Sequence, residues 1–360
     1  MSAARSRSFQ ASVGGVLWAL SCVACAGSSA TPSANTLPSP GVRAALPSLR
    51  DVPANPLELV VDANAPDTVF SARVAELRGT ALFQRLAPYI ERNTCLALRD
   101  WDDLLTATER AVLASQGEGE TQHWLLVLKG QYTPAQAQKL FQTIAQRAPH
   151  NTTSERERAE NDARIGRFDV DHQGGLSMSL PNAQTIVIGT PEWLRTALTA
   201  IDTPTPSFAD SQLWRELAAR ASCEQRPLCG LTRAESPQLK PLARLLSGVG
   251  ARALSTQLTA ADTALTVTPT KGAELAAIAN FRDASTATAV QRDLERLLNQ
   301  VGLITTLAGL PNIFGATRFA TEDHWLRAEV ALSIDDIRTY EERALPMLAG
   351  RGRPRCVEVP

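Results

Sequence analysis

The chain has 360 residues, 36 basic and 37 acidic side chains, a formal charge of −1 and 44% hydrophobic residues. That length and apolar content suit one large domain or two ordinary ones with a real core, and the near-neutral balance excludes a broadly basic nucleic-acid-binding protein. Only four of the 36 basic residues are lysine (Lys129, Lys139, Lys240 and Lys271); the rest are arginines scattered among acids, read as genomic bias on a solvated surface.

Residues 1–25 have the layout of a secretory signal. Arg5 and Arg7 precede an apolar stretch, Val13 to Ala24, and small residues follow. About a dozen apolar residues are too few to cross a bilayer as a helix. Val23-Ala24-Cys25 resembles a lipobox, in which Cys25 is lipidated and becomes the mature N-terminus, although Cys22 stands where leucine is usual. The rival cut is an A-x-A site at Ala24-Cys25-Ala26, leaving Gly27 first. A Cys22/Cys25 metal site lacks a second CxxC or His pair to complete about four ligands. Residues 26–54, rich in Ala, Ser, Pro and Thr, read as a flexible tether.

Ordered structure is expected from "PLELVVDAN", with a strand at 57–63. Helical spacing of Leu82, Phe83, Leu86 and Ile90 predicts a helix in "ELRGTALFQRLAPYI", and a second is expected from Trp101 to Ser115. "HWLLVLKG" reads as a buried strand leading into a helix with Thr133 as N-cap, Pro134 in its first turn and Ala137, Leu140, Phe141 and Ile144 inward. Polar residues 149–163 read as an exposed loop. Three short strands follow, "RIGRFDV", "LSMSLP" and "TIVIGT", then the helix "TPEWLRTALTAI".

After "DTPTPS" the pattern starts again. "DSQLWRELA" at 210–218 aligns with "GTALFQRLA" at 79–87, matching Leu213 with Leu82 and Trp214 with Phe83. "ELAAIANFRDASTATAVQRDLERLL" repeats the strand–helix order of "HWLLVLKGQYTPAQAQKLFQTIA", with Val290, Leu294, Leu297 and Val301 inward. A hairpin, "GATRFAT" and "HWLRAEVALS", and a helix opening at Ser333 complete it. The expected fold class is α+β, with two similar halves at 55–204 and 205–348, each an antiparallel sheet backed by helices, and a basic tail at 349–360. Chance similarity of short amphipathic helices is the alternative.

"GTALFQRLA", Cys95 followed by "LALRDWDDLL", "LLVLKGQYTPAQ" and "TIVIGTPEWLRTAL", with the lipobox-like start, resemble a group of poorly characterised predicted lipoproteins from bacteria with large genomes. These motifs concern packing, so the resemblance implies a location and a fold and no activity.

No P-loop, GxSxG elbow or HExxH occurs. Among the four histidines, His123 and His324 each precede a tryptophan at a strand start and read as equivalent repeat positions. "DVDHQGG" begins like a calcium loop with Asp169, Asp171 and Gly174, but Leu180 stands where a bidentate glutamate is needed, so a hairpin turn is expected. Asp100, Asp102 and Asp103 sit where acids favour a helix start. No catalytic residue, metal ligand or cofactor is assigned. Outside the signal lie Cys95, Cys223, Cys229 and Cys356, an even number that fits disulfides in an exported protein. Three pairings are open; Cys223 with Cys229 is the easiest to close and would leave Cys95 with Cys356, and four reduced buried thiols are the alternative.

The expected function is that of a lipid-anchored, non-enzymatic cell-envelope protein that binds or scaffolds a partner. It meets the membrane through its N-terminal lipid and binds no nucleic acid. The residue after the cysteine is Ala26 and not Asp, which by resemblance to the sorting rule of enteric bacteria implies the outer rather than the inner membrane. The alternative is a secreted or periplasmic hydrolase whose site is not a linear motif.

Overall fold

The computed structural model describes residues 51–85, 87, 102–118, 122–145, 163–173, 175–203, 205–248, 250–307, 310–340 and 342. Cys25, Cys95, Asp100 and Cys356, the signal, nearly all of the 26–54 tether, the 149–162 loop and the tail lie outside these residues. Among the described residues no helix is long and apolar enough to cross a membrane.

In chain order the strands are β1 (Thr68–Arg73), β2 (Thr108–Gln116), β3 (His123–Gly130), β4 (Arg164–Ile165), β5 (Phe168–Asp169), β6 (Asp171–Gln173), β7 (Leu176–Asn182), β8 (Thr185–Gly189), β9 (Leu228–Thr232), β10 (Asp262–Pro269), β11 (Gly272–Asn280), β12 (Arg318–Glu322) and β13 (Trp325–Ser333). The helices are α1 (Val74–Arg78), α2 (Asp102–Ala107), α3 (Pro134–Ala145), α4 (Pro191–Asp202), α5 (Gln212–Ala221), α6 (Lys240–Gly248), α7 (Arg252–Thr259), α8 (Ala284–Leu307) and α9 (Ile334–Thr339). The fold is α+β, and eleven strands form one antiparallel sheet in the order β12-β13-β11-β10-β9-β1-β2-β3-β8-β7-β6.

One continuous sheet replaces the expected sheet per half. β1 and β9 pair from Thr68↔Thr232 to Ala72↔Leu228, so each covers an edge the other would leave open. Outward from this seam the order is β1-β2-β3-β8-β7 on one side and β9-β10-β11-β13-β12 on the other. Each side is one strand, a hairpin, a helix (α3 or α8) and a second hairpin whose later strand pairs inward.

Alternation along the strands divides the core. One face carries Val69, Val112, Ala114, Leu125, Val127, Leu231, Ala264, Ile278 and Trp325, covered by the 56–59 turn, α4 and α5. On the opposite face α3 packs its predicted Ala137, Leu140, Phe141 and Ile144 over Leu128, Ile186 and Ile188, while α6, α7 and α8 close over Ala279 and Leu326. The α3 start is a reciprocal cap: the Gln136 amide donates to Thr133 Oγ1 at 3.3 Å, and the Thr133 amide donates to Gln136 Oε1 at 2.9 Å.

Several expectations change. The 57–63 segment is no strand. Pro56–Leu59 is a 3-10 turn, capped by Asn55, whose side chain accepts the Leu57 amide at 3.2 Å. Pro56 lacks an N–H for a ladder, and the apolar run reports burial of Leu57, Leu59, Val60 and Val61 alone. The helix expected at 101–115 stops at Ala107, and the rest is β2. Pairing on both edges overrides the helix-forming residues of "TERAVLASQ". The helix expected around 76–90 is α1 to Arg78, a break at Gly79, and a new turn at 81–85. "RIGRFDV" folds back on itself as the β4–β5 hairpin, with Gly166 at φ +58°.

The match of 79–87 with 210–218 fails. Leu82 follows β1 and packs with Val267 and Ala273, whereas α5 precedes β9 and buries Trp214, Leu217 and Ala218 on the other face. Leu82 is buried and Leu213 only half-buried. The apolar rhythm of two short helices says nothing about which strand each follows. His123 and His324 are likewise not equivalent, because His123 opens β3 while His324 precedes β13, whose counterpart in strand order is β8.

Candidate functional site

Cys223 and Cys229 form a disulfide, with Cα atoms 5.3 Å apart. The bond ties the turn after α5 to β9, at the sheet's central seam, and both residues lie in the core.

The "DVDHQGG" segment is a strand-and-turn structure. Asp169 ends β5, where its carboxylate meets Arg164 at 2.8 Å, and Asp171 opens β6. Among the described residues no group of three or more His, Cys, Asp or Glu is arranged to hold a metal ion. Beside it, His172 Nδ1 and Ser177 Oγ are hydrogen-bonded at 2.6 Å, a contact a serine hydrolase would use. Here the two are direct cross-strand partners and Ser177 is fully buried. The pair links the two strands of the β6–β7 hairpin. Asp102 and Asp103 occupy the first turn of α2, where Asp102 pairs with Arg78 at 3.4 Å.

A different cluster emerges where β1, β2, β3 and β8 run side by side. Arg73 is opposite Arg110, Arg110 opposite Lys129, and Lys129 opposite Thr185. Alternation from Val69, Val112, Val127 and Val187 puts all four on one face of the sheet, at the margin of the core. Lys129 is only 8% exposed, and its ammonium donates to Thr185 Oγ1 at 2.8 Å. Burial lowers its pKa, partly countered by the charge of Glu58. Arg73 Nη1 meets Glu76 Oε1 at 2.7 Å, while its Nε is buried without a partner. Arg110 is exposed and, among the described residues, has no ion-pair partner.

No protein-family model matches this chain, and no curated protein matches it. Among solved structures it is similar to the Treponema protein TP0453. Crystal form III aligns with a TM-score of 0.46 and 13% identity over 82% of this chain and 98% of that one. Crystal form I gives 0.46 and 13% over 83% and 100%, and crystal form IV gives 0.45 and 12% over 80% and 96%.

Two residues beyond β3, Tyr132 is buried and donates its hydroxyl to Thr108 Oγ1 at 3.1 Å. Its pKa is pushed up from 10.0 to about 12, chiefly because burial disfavours the phenolate; the Thr108 hydrogen bond opposes this and the Glu109 charge adds to it. A pKa raised in the folded state means stability that is intact below the unfolded value and lost as pH climbs through the folded one. Wild-type protein should therefore lose stability between pH 10 and about 12. Tyr132→Phe should abolish that component while costing about 1 kcal/mol at neutral pH for the lost hydrogen bond. Denaturant unfolding of both proteins across that range checks it; parallel losses would refute the assignment.

Of the residues singled out in the sequence, the structure brings together Cys223 and Cys229 and leaves the aspartates in separate local roles. The row of Arg73, Arg110 and Lys129 is not legible in the sequence, because it exists only once β1 and the β2–β3 hairpin are in register.

Proposed function

We propose that this protein is a lipid-anchored, non-enzymatic component of the bacterial cell envelope whose folded part binds or scaffolds a partner. Cys25 carries the lipid and becomes the mature N-terminus, and residues 26–54 tether the fold to the membrane. The observation that carries the reading is the Cys223–Cys229 disulfide. Such bonds persist in oxidising compartments, where the N-terminal signal would deliver the chain. The repeated strand order supports a duplicated unit with halves at 55–204 and 205–348. Ala26 following Cys25 favours the outer membrane.

Fractionation of cells that express the full chain tests the reading. Wild-type protein should sediment with membranes and partition into detergent. Cys25→Ser should be released or accumulate with its signal uncut. Equal membrane association of the two, with the signal removed from both, would contradict the anchor.

A further inference from the structure

We propose that the row Arg73, Arg110 and Lys129, with the Thr185 hydroxyl, is a binding site for a phosphate-type oxyanion. Like charges directly opposite each other on adjacent strands destabilise a sheet, since their Cβ atoms lie only about 4.5–5.5 Å apart. Here two such pairs are consecutive: Arg73↔Arg110 and Arg110↔Lys129.

The sheet itself does not demand cations at this place. At the corresponding ends of the hairpin and return strand across the seam, the row reads Asp262↔Asn280↔Trp325, one acid, one amide and one indole, on the same face. None of these three strand residues is a cation, and the Arg220 guanidinium from α5 stacks on Trp325 at 4.5 Å. Glu58 and Glu76 offset part of the charge on the first side, acting on Lys129 and Arg73, and leave a surplus centred on Arg110.

Unused donors point to the same ligand. Thr185 accepts one of the three N–H groups of Lys129, the buried Nε–H of Arg73 has no acceptor, and Arg110 offers an open fork at the rim. A single carboxylate would neutralise one of these charges. A phosphate presents several oxygens and up to two charges, matching a guanidinium fork beside a point-charge ammonium. The site grades from exposed Arg110 to buried Lys129, so the anion would enter over Arg110 and be desolvated against Lys129. The inference is independent of whether Cys25 is lipidated.

The test is binding to the full chain by calorimetry and thermal unfolding, with chloride at equal ionic strength as reference. Inorganic phosphate is one arm, and glycerophosphoglycerol, a soluble phosphodiester headgroup, is the other. Wild-type protein should bind at least one of them and unfold at higher temperature in its presence. Arg110→Gln and Lys129→Met should weaken that binding about tenfold or more. Without the anion Arg110→Gln should be no less stable than wild type, because it removes like-charge repulsion. Arg318→Gln, an exposed arginine on β12, should bind like wild type. The arm that responds through the row names the source, free phosphate or lipid headgroup. Should Lys129→Met fail to fold, Arg110→Gln at its exposed position decides alone. No binding in either arm beyond the chloride reference, or equal binding by wild type and Arg110→Gln, overturns the proposal.

Discussion

Phe208→Ala should reduce the free energy of unfolding by about 3–5 kcal/mol, the cost of removing a fully buried aromatic ring and leaving a cavity. Phe208 is 0% exposed, tilted against Trp214 at 5.6 Å between ring centroids and capped by the Arg233 guanidinium at 5.7 Å. Its amide donates to Val60 O at 2.7 Å, and the Asp62 amide donates to Pro206 O at 3.1 Å. The ring therefore joins the segment before β1 to the segment before β9 over the sheet's centre. Phe208→Leu keeps most of the volume and should cost about 1 kcal/mol. Urea midpoints of the three proteins check this; a loss below about 1 kcal/mol for Phe208→Ala would mean the ring is not the keystone of that contact.

The second large effect is expected at the disulfide. A sequence separation of 6 closes a small loop, and constraining it in the unfolded chain is worth about 2–3 kcal/mol. The double variant Cys223→Ala/Cys229→Ala should lose that much and become insensitive to dithiothreitol, whereas wild-type protein should fall to a similar midpoint only when reduced. A non-reducing peptide map should recover the two cysteines in one linked peptide. Native protein in which both thiols are freely alkylated would contradict the bond.

The legible elements are those whose periodicity is complete within a short stretch. α3 carries its inner face at Ala137, Leu140, Phe141 and Ile144 and its cap at Thr133, and all four apolar residues are buried. In α8, Val290 is fully buried and Leu294 and Leu297 pack beside it. The β12–β13 hairpin and the Ser333 capping box need only local signals too. β2 is not legible because its residues favour helix, and only the partners on both sides make it a strand. β1 and β9 are not legible because they meet across the seam, and nothing within "TVFSAR" or "LCGLT" reveals a partner that far along the chain. The site follows the same division. A short loop between two cysteines announces its own disulfide, but a row of cations contributed by β1, β2 and β3 looks like scattered arginine until the strands are aligned.

The most direct test of the envelope reading is the mass of the mature N-terminal peptide, released by protease from protein extracted from its native membrane. The expected peptide begins at Cys25 and carries the added mass of acyl chains and a thioether-linked diacylglycerol. An unmodified peptide that begins at Gly27 would contradict it and make the protein a freely secreted one.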